Sequence, residues 1–211
     1  MDAIINGIQQ IGIGVADTKT VFNWYREYLG FDILLFSDEA TATLMAKYTK
    51  GKAQRRDAYL SLNMRGGGGL EIWQFKNRIP IPPKNDTLLG DLGINAMVLR
   101  SNSISNTHTI LLEQELTFLT DIMISTPKRE FFYFNDPWGN LVQVVQDNYA
   151  FCNTPTASGG VMGGVIGVSD MDTSLHFYAT LLGYDKIIVD EIVALPLSLE
   201  TETTGKFRRV L

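Results

Sequence analysis

The stretch IGIGVADTKTVFNWYREYLGF, Ile11–Phe31, decides the reading of the fold. The run Ile8–Asp17 alternates and is β-branched at its centre, the pattern of a strand. Asp17 and Thr18 offer side-chain oxygens for a helix N-cap. Val21, Trp24, Tyr25, Tyr28 and Leu29 then recur at helical spacing over Thr20–Leu29, and Gly30 stands where a C′ glycine ends a helix. FDILLF, Phe31–Phe36, returns to strand character, and further strands are expected at Thr43–Tyr48, Arg56–Asn63 and Leu70–Phe75. The reading is a β-α-β-β-β unit.

The same stretch returns as GVIGVSDMDTSLHFYATLLGY, Gly164–Tyr184, at an offset of 153 residues. Ile13, Gly14 and Val15 match Ile166, Gly167 and Val168. Asp17 and Thr20 match Asp170 and Thr173, and Tyr25 matches Tyr178. Leu29-Gly30 matches Leu182-Gly183, Asp32 matches Asp185, and Arg55-Arg56 matches Arg208-Arg209 without a gap. In this register Leu211 is equivalent to Ala58, so the repeat stops before the counterpart of Leu70–Phe75. The expectation is a fragment of a longer chain, or a unit that borrows strands from a partner; an unpaired sheet edge invites association.

Between the two copies lies a second unit. Three prolines mark Arg78–Asn85 as a linker or loop. GINAMVLRS, Gly93–Ser101, reads as a strand and Ser105–Glu115 as a poorer helix. Leu116–Ile124, Glu130–Phe134 and Asn140–Val145 read as strands, and NDPWGN, Asn135–Asn140, as the turn of a hairpin. The expected domains are 1–150, holding paired modules at about 6–78 and 92–148, and 157–211, an incomplete third module.

Composition narrows the chemistry. Of 211 residues, 45% are apolar and 19% charged, which describes a folded globular chain. A net charge of −5 and the lack of a basic run argue against a nucleic-acid partner. No apolar run reaches membrane-spanning length and the N-terminus does not read as a secretory signal, so the expected compartment is the cytoplasm with no membrane partner. Cys152 is the one cysteine, and His108 and His176 are the two histidines. A hard-cation site would have to be built from carboxylates, amides and water.

VFNWYREYLGF (Val21–Phe31), LHFYATLLGY (Leu175–Tyr184) and FFYFNDPWGNLVQVV (Phe131–Val145) together resemble the vicinal oxygen chelate superfamily. That group includes glyoxalases, bleomycin-resistance proteins and extradiol dioxygenases. The resemblance implies an α+β fold of tandem βαβββ modules forming an incomplete barrel, here with a truncated third module. It also implies a cleft between curved sheets that holds a substrate and, in many members, a divalent metal. In those members the ligands come from the first and last strand of each module. Those places fall here on Gln10 and Glu71, on Ala96 and Gln143, and on Gly163. Gln10 and Glu71 suit a metal; Ala96 and Gly163 offer no donor and Gln143 is neutral. The set supplies one negative charge at most, so the metal site reads as degenerate, with no cofactor expected. Iron, manganese, zinc or nickel would be the ions in question if one binds.

Strand parity puts Trp73 and Phe75 on the face of Glu71. A carboxylate among rings could act as a base, which makes Glu71 the candidate catalytic residue. The alternative is an inherited or ion-paired carboxylate. Gln10, Trp73, Phe132, Phe134 and Gln143 are the expected ligand-binding residues, because the aromatic run Phe131–Phe134 borders the cleft in this fold. GGGG, Gly66–Gly69, precedes a strand rather than a helix, so it reads as a flexible hairpin loop and not a phosphate cradle. Gly12 and Gly14 lack the third glycine of a dinucleotide fingerprint and suit close packing instead. The expected function is binding of a small apolar or aromatic molecule in the cleft between modules. The alternative is a lyase, isomerase or ring-cleaving dioxygenase of the same superfamily. A homodimer is the expected assembly if the third unit completes a neighbour's sheet.

Overall fold

A computed structural model describes residues 5, 7–81, 87–125, 128–196 and 204–211. Pro82, Pro83 and Asn85 of the expected linker lie outside them. The first unit is β1 Gln10–Gly14, α1 Thr18–Leu29, β2 Ile33–Ala42, β3 Gln54–Leu62 and β4 Gly69–Phe75. The second is β5 Gly93–Ser101, α2 Ile104–Leu112, β6 Met123–Ser125, β7 Arg129–Asn135 and β8 Leu141–Gln146. The third is β9 Ser158–Gly167, α3 Met171–Leu182, β10 Asp190–Pro196 and β11 Thr204–Val210. No helix among the described residues is long and apolar enough to cross a membrane.

The helix caps act as their residues dictate. Asp17 Oδ1 accepts the Thr20 amide at 2.9 Å, and Asp170 Oδ1 accepts the Thr173 amide at 2.8 Å. Gly30 and Gly183 end their helices with φ of 69° and 70°, a left-handed conformation that favours glycine. One of the two distant arginines also repeats the position of its partner. Arg56 pairs with Asp38 at 3.0 Å, and Arg209 pairs with Glu191, which stands 153 residues beyond Asp38.

Among the described residues three sheets form, and they do not close into a barrel. The first has the order β1-β4-β3-β2, with β1 and β4 parallel. The second has the order β6-β7-β8-β5-β9, and its last member comes from the third unit. That strand runs antiparallel along β5. The hairpin β10-β11 stands apart as the third sheet. The strand expected at Thr43–Tyr48 is instead a 3-10 turn. The β2-β3 ladder runs out at Ala42 and Gln54, so the segment serves as a connection, with Leu44 and Tyr48 exposed. The strand expected over Leu116–Ile124 reduces to a bridge between Phe118 and Phe134 and the short β6.

One core joins the first two units. Ile13, Leu70 and Ile72 meet Val21, Tyr25 and Leu29 of α1, and Leu99, Phe132, Phe134 and Val142 meet Ile104 and Leu111 of α2. Alternation along the strands turns the other residues of the second sheet to its opposite face. There Ala96, Val98, Phe131, Tyr133 and Val145 pack with Leu195, Val193 and Phe207 of the β10-β11 hairpin. The glycine run forms the β3-β4 hairpin connection, as expected, and packs closely against β9. A Cβ at Gly66 would lie 1.5 Å from the Gly159 carbonyl oxygen, and one at Gly68 would lie 1.9 Å from that of Val161. The backbone of β9 passes directly against this hairpin, and only glycine admits it.

Candidate functional site

The β1-β4 register sets Gln10 beside Gly69, Gly12 beside Glu71 and Gly14 beside Trp73. All six therefore share one face, opposite the core face of Ile13, Leu70 and Ile72. Gln10 Nε2 donates to Glu71 Oε2 at 2.7 Å. A Cβ at Gly12 would lie 4.0 Å from Glu71 Oε2, at ordinary van der Waals distance. The Trp73 and Phe75 rings follow on the same face, 5.1 Å apart between centroids. Gln10, Glu71, Trp73 and Phe75 are half-buried, and the Arg78 guanidinium lies 3.8 Å over the Phe75 ring.

The second sheet repeats the geometry with different chemistry. Val98 faces Gln143 in the parallel β5-β8 ladder, as Gly12 faces Glu71. Ala96 and Gln143 are 2% exposed, beneath the hairpin. Phe132 and Phe134, expected in the cleft, are fully buried on the α2 side, where they pack with Phe118. His108 stacks on Phe118, with ring centroids 4.4 Å apart. The structure thus brings Gln10, Glu71 and Trp73 together and separates them from Phe132, Phe134 and Gln143. On the hairpin side, Arg209 covers Phe131, 4.9 Å from its ring centre. Burial pushes the nearby Tyr133 hydroxyl up to about 12.

Two features escaped the reading of the sequence. Asp136 of the DPWGN turn accepts four hydrogen bonds, from the amides of Trp138 and Asn140, from Asn140 Nδ2 and from the Tyr25 hydroxyl at 2.7 Å. The last of these ties α1 to the second sheet. Burial raises Asp136 above the usual carboxylate range, and burial followed by the Asp136 charge raises Tyr25 well above the ordinary tyrosine value. The DPWGN motif signalled a turn but not its distant partner. The second feature is a cavity of about 840 Å³ between β1 and the second unit. Gln10–Gly14, Ile79–Ile81, Ile94–Met97 and Trp138–Leu141 line it, and it meets the Glu71 face at Gln10. Its size suits a ligand pocket.

The chain's family is decided by a match over residues 7–144 to the model of the Glyoxalase/Bleomycin resistance protein/Dioxygenase superfamily. The chain belongs to that superfamily. A glyoxalase family protein from Bacillus cereus is similar in fold, with a TM-score of 0.54 and 11% identity over 69% of this chain and 95% of its own. A proposed dioxygenase from Bacillus subtilis aligns with a TM-score of 0.62 and 11% identity over 92% of this chain and 60% of its own. A glyoxalase I variant from Zea mays gives a TM-score of 0.58 and 13% identity over 95% of this chain and 66% of its own. No curated protein matches the chain in sequence. At these identities the likeness concerns the fold.

Superfamily membership raises the question of a metal. Among the described residues no group of three or more His, Cys, Asp or Glu is placed to hold one. Gln10 and Glu71 offer an amide and a carboxylate oxygen with a single negative charge. That donor set does not by itself fit a tightly held dication, for which ligand charge and number set the affinity.

Proposed function

We propose that the chain binds a small, flat, apolar molecule on the face formed by Gln10, Glu71 and Trp73. The observation that supports this most is the pairing of a polar Gln10–Glu71 couple with the half-buried rings of Trp73 and Phe75 on one sheet face. Aromatic walls supply contact area, and a few oriented polar groups fix the ligand's pose. The ligand's own donor would meet the Glu71 carboxylate, whose other oxygen has no hydrogen bond among the described residues.

The test is a fluorescence titration with the neutral dye Nile red. Saturable binding at one site is expected, weakened about tenfold in Trp73→Ala, the scale of a lost aromatic contact. Unchanged binding in that variant, with its circular dichroism intact, contradicts the proposal.

The Gln10–Glu71 couple also favours an enzymatic reading. A carboxylate held by an amide can take a proton from a bound substrate, which makes Glu71 the general base of a lyase or isomerase. Turnover of thiol-adduct substrates that Glu71→Gln abolishes would support this reading. Turnover equal in both forms would remove it.

A further inference from the structure

The connection between β2 and β3 concentrates positive charge in a chain that is acidic as a whole. Residues 43–56, TLMAKYTKGKAQRR, hold five of the 18 Lys and Arg residues and no Asp or Glu, against a net charge of −5. The two arginines are matched, Arg55 by Glu39 and Arg56 by Asp38. Lys47, Lys50 and Lys52 are exposed, and none pairs with a carboxylate among the described residues. The internal repeat does without these lysines, since the same positions in the third unit carry Glu200, Thr203 and Gly205.

The same loop turns apolar side chains to solvent. Leu44 is 92% exposed, Tyr48 is 69% exposed, and Met45 is exposed between them in sequence. None of the three joins either core cluster. The backbone beneath is nevertheless tied. The Thr49 and Gly51 amides both donate to the Ala46 carbonyl, at 3.1 and 2.8 Å, and the Thr49 hydroxyl donates to the Lys52 carbonyl. Lys50 and Gly51 close the turn with φ of 55° and 76°. Lys47 Nζ lies 5.0 Å from the centre of the Tyr48 ring. A hydrogen-bonded turn thus presents apolar groups and ammonium groups together.

That combination fits an anionic lipid surface. Each lysine close to such a surface strengthens partition about fivefold. An exposed leucine can enter the interface without a preformed pocket, whereas a folded partner would have to supply one. The acidic remainder of the chain is screened beyond about 8 Å at physiological salt, so the sign of the loop governs the contact. A nucleic acid would take the lysines and leave Leu44 in water.

We infer that the Leu44–Lys52 loop docks on an anionic lipid surface, with Leu44 and Tyr48 entering the interface and Lys47, Lys50 and Lys52 meeting the headgroup charge. This departs from the expectation of no membrane partner, because a surface contact needs no spanning segment. The contact is weak and reversible, with half-saturation at about millimolar accessible lipid. Phe75 pairs with Arg56, two residues from Gln54 at the end of the loop. Docking would therefore bring the Trp73–Phe75 end of the ligand face towards the bilayer, but the inference stands without the ligand reading.

The experiment is co-sedimentation of the full chain with vesicles of equal parts phosphatidylserine and phosphatidylcholine, beside vesicles of phosphatidylcholine alone. Binding is expected to the mixed vesicles only, and high salt should remove it. Lys47→Gln, Lys50→Gln and Lys52→Gln together should weaken it about a hundredfold, and Leu44→Ser about tenfold at unchanged charge. Lys186→Gln, at an exposed lysine of the third unit, should leave it unchanged. Circular dichroism should be the same in all variants, since each replaced side chain is exposed. No binding to the mixed vesicles at millimolar lipid overturns the inference, as does equal binding by the triple variant or by Leu44→Ser. Binding of soluble polyglutamate without vesicle binding overturns it in favour of an acidic protein. Self-association that the triple variant abolishes, again without vesicle binding, overturns it in favour of a second copy.

Discussion

The first two sheets share one plan and end in opposite states. In the first, Gln10, Glu71 and Trp73 stay half-buried on a face that no hairpin among the described residues covers. In the second, the corresponding face of Ala96, Gln143 and Tyr133 lies under the β10-β11 hairpin. The difference follows the residues. A face carrying a carboxylate would lose solvation under an apolar lid, and desolvating a charge is costly. A face carrying alanine, valine and one neutral amide can be sealed. The ion pairs tell the same story. Arg56 and Asp38 stay more open in the first sheet, while the repeat-equivalent Arg209 and Glu191 are more buried, with Arg209 over the Phe131 ring.

The comparison can be broken at the joint between the sheets. Asp136→Ala strands the Tyr25 hydroxyl and the Trp138 and Asn140 amides, and should cost about 3–5 kcal/mol in urea denaturation. A loss below about 1 kcal/mol would mean that the buried network does not hold α1 to the second sheet. Removing the lid's anchor comes next. Leu195→Ala should cost about 2–4 kcal/mol, and the uncovered second sheet should gain Nile red binding.

The seal has a pH signature as well. Tyr133 titrates near 12 in the folded chain against 10.0 when unfolded. Stability is therefore whole below pH 10 and declines as pH rises towards 12, by about 3 kcal/mol in total. In Tyr133→Phe this part of the alkaline decline should vanish from stability curves taken between those pH values. The smallest effect is expected at the arginines. Arg56→Ala, on the open side, should change stability by less than about 1 kcal/mol, and Arg209→Ala by more, as its removal also strips contact from Phe131. Equal losses would show that the two pairs sit in equivalent surroundings.

Much of this was legible in the sequence because the signals were local. Asp17 with Thr20 and Gly30 define a helix by capping alone, and the offset of 153 residues carried that reading to α3. Strand parity likewise placed Glu71, Trp73 and Phe75 on one face. The parity of Phe131–Phe134 was equally clear, but not which face meets α2. That choice depends on tertiary packing, and it put Phe132 and Phe134 in the core. Thr43–Tyr48 alternates well enough for a strand, yet a strand needs a ladder partner, and β3 had none left to offer beyond Gln54. The hairpin lid on the second sheet, the Tyr25–Asp136 bond and the β9 backbone against the glycine run all join residues far apart in the chain. No local pattern announces them.

The claim that binds these points together is that the ligand face belongs to the first sheet and not to the second. Backbone amide chemical shifts of the isotopically labelled chain, followed during a titration with 2-naphthol, test it directly. The account predicts saturable shifts at Gly12, Glu71 and Trp73 and none at Ala96 or Gln143. Shifts centred on Gln143 and Tyr133, with Glu71 unmoved, would contradict it.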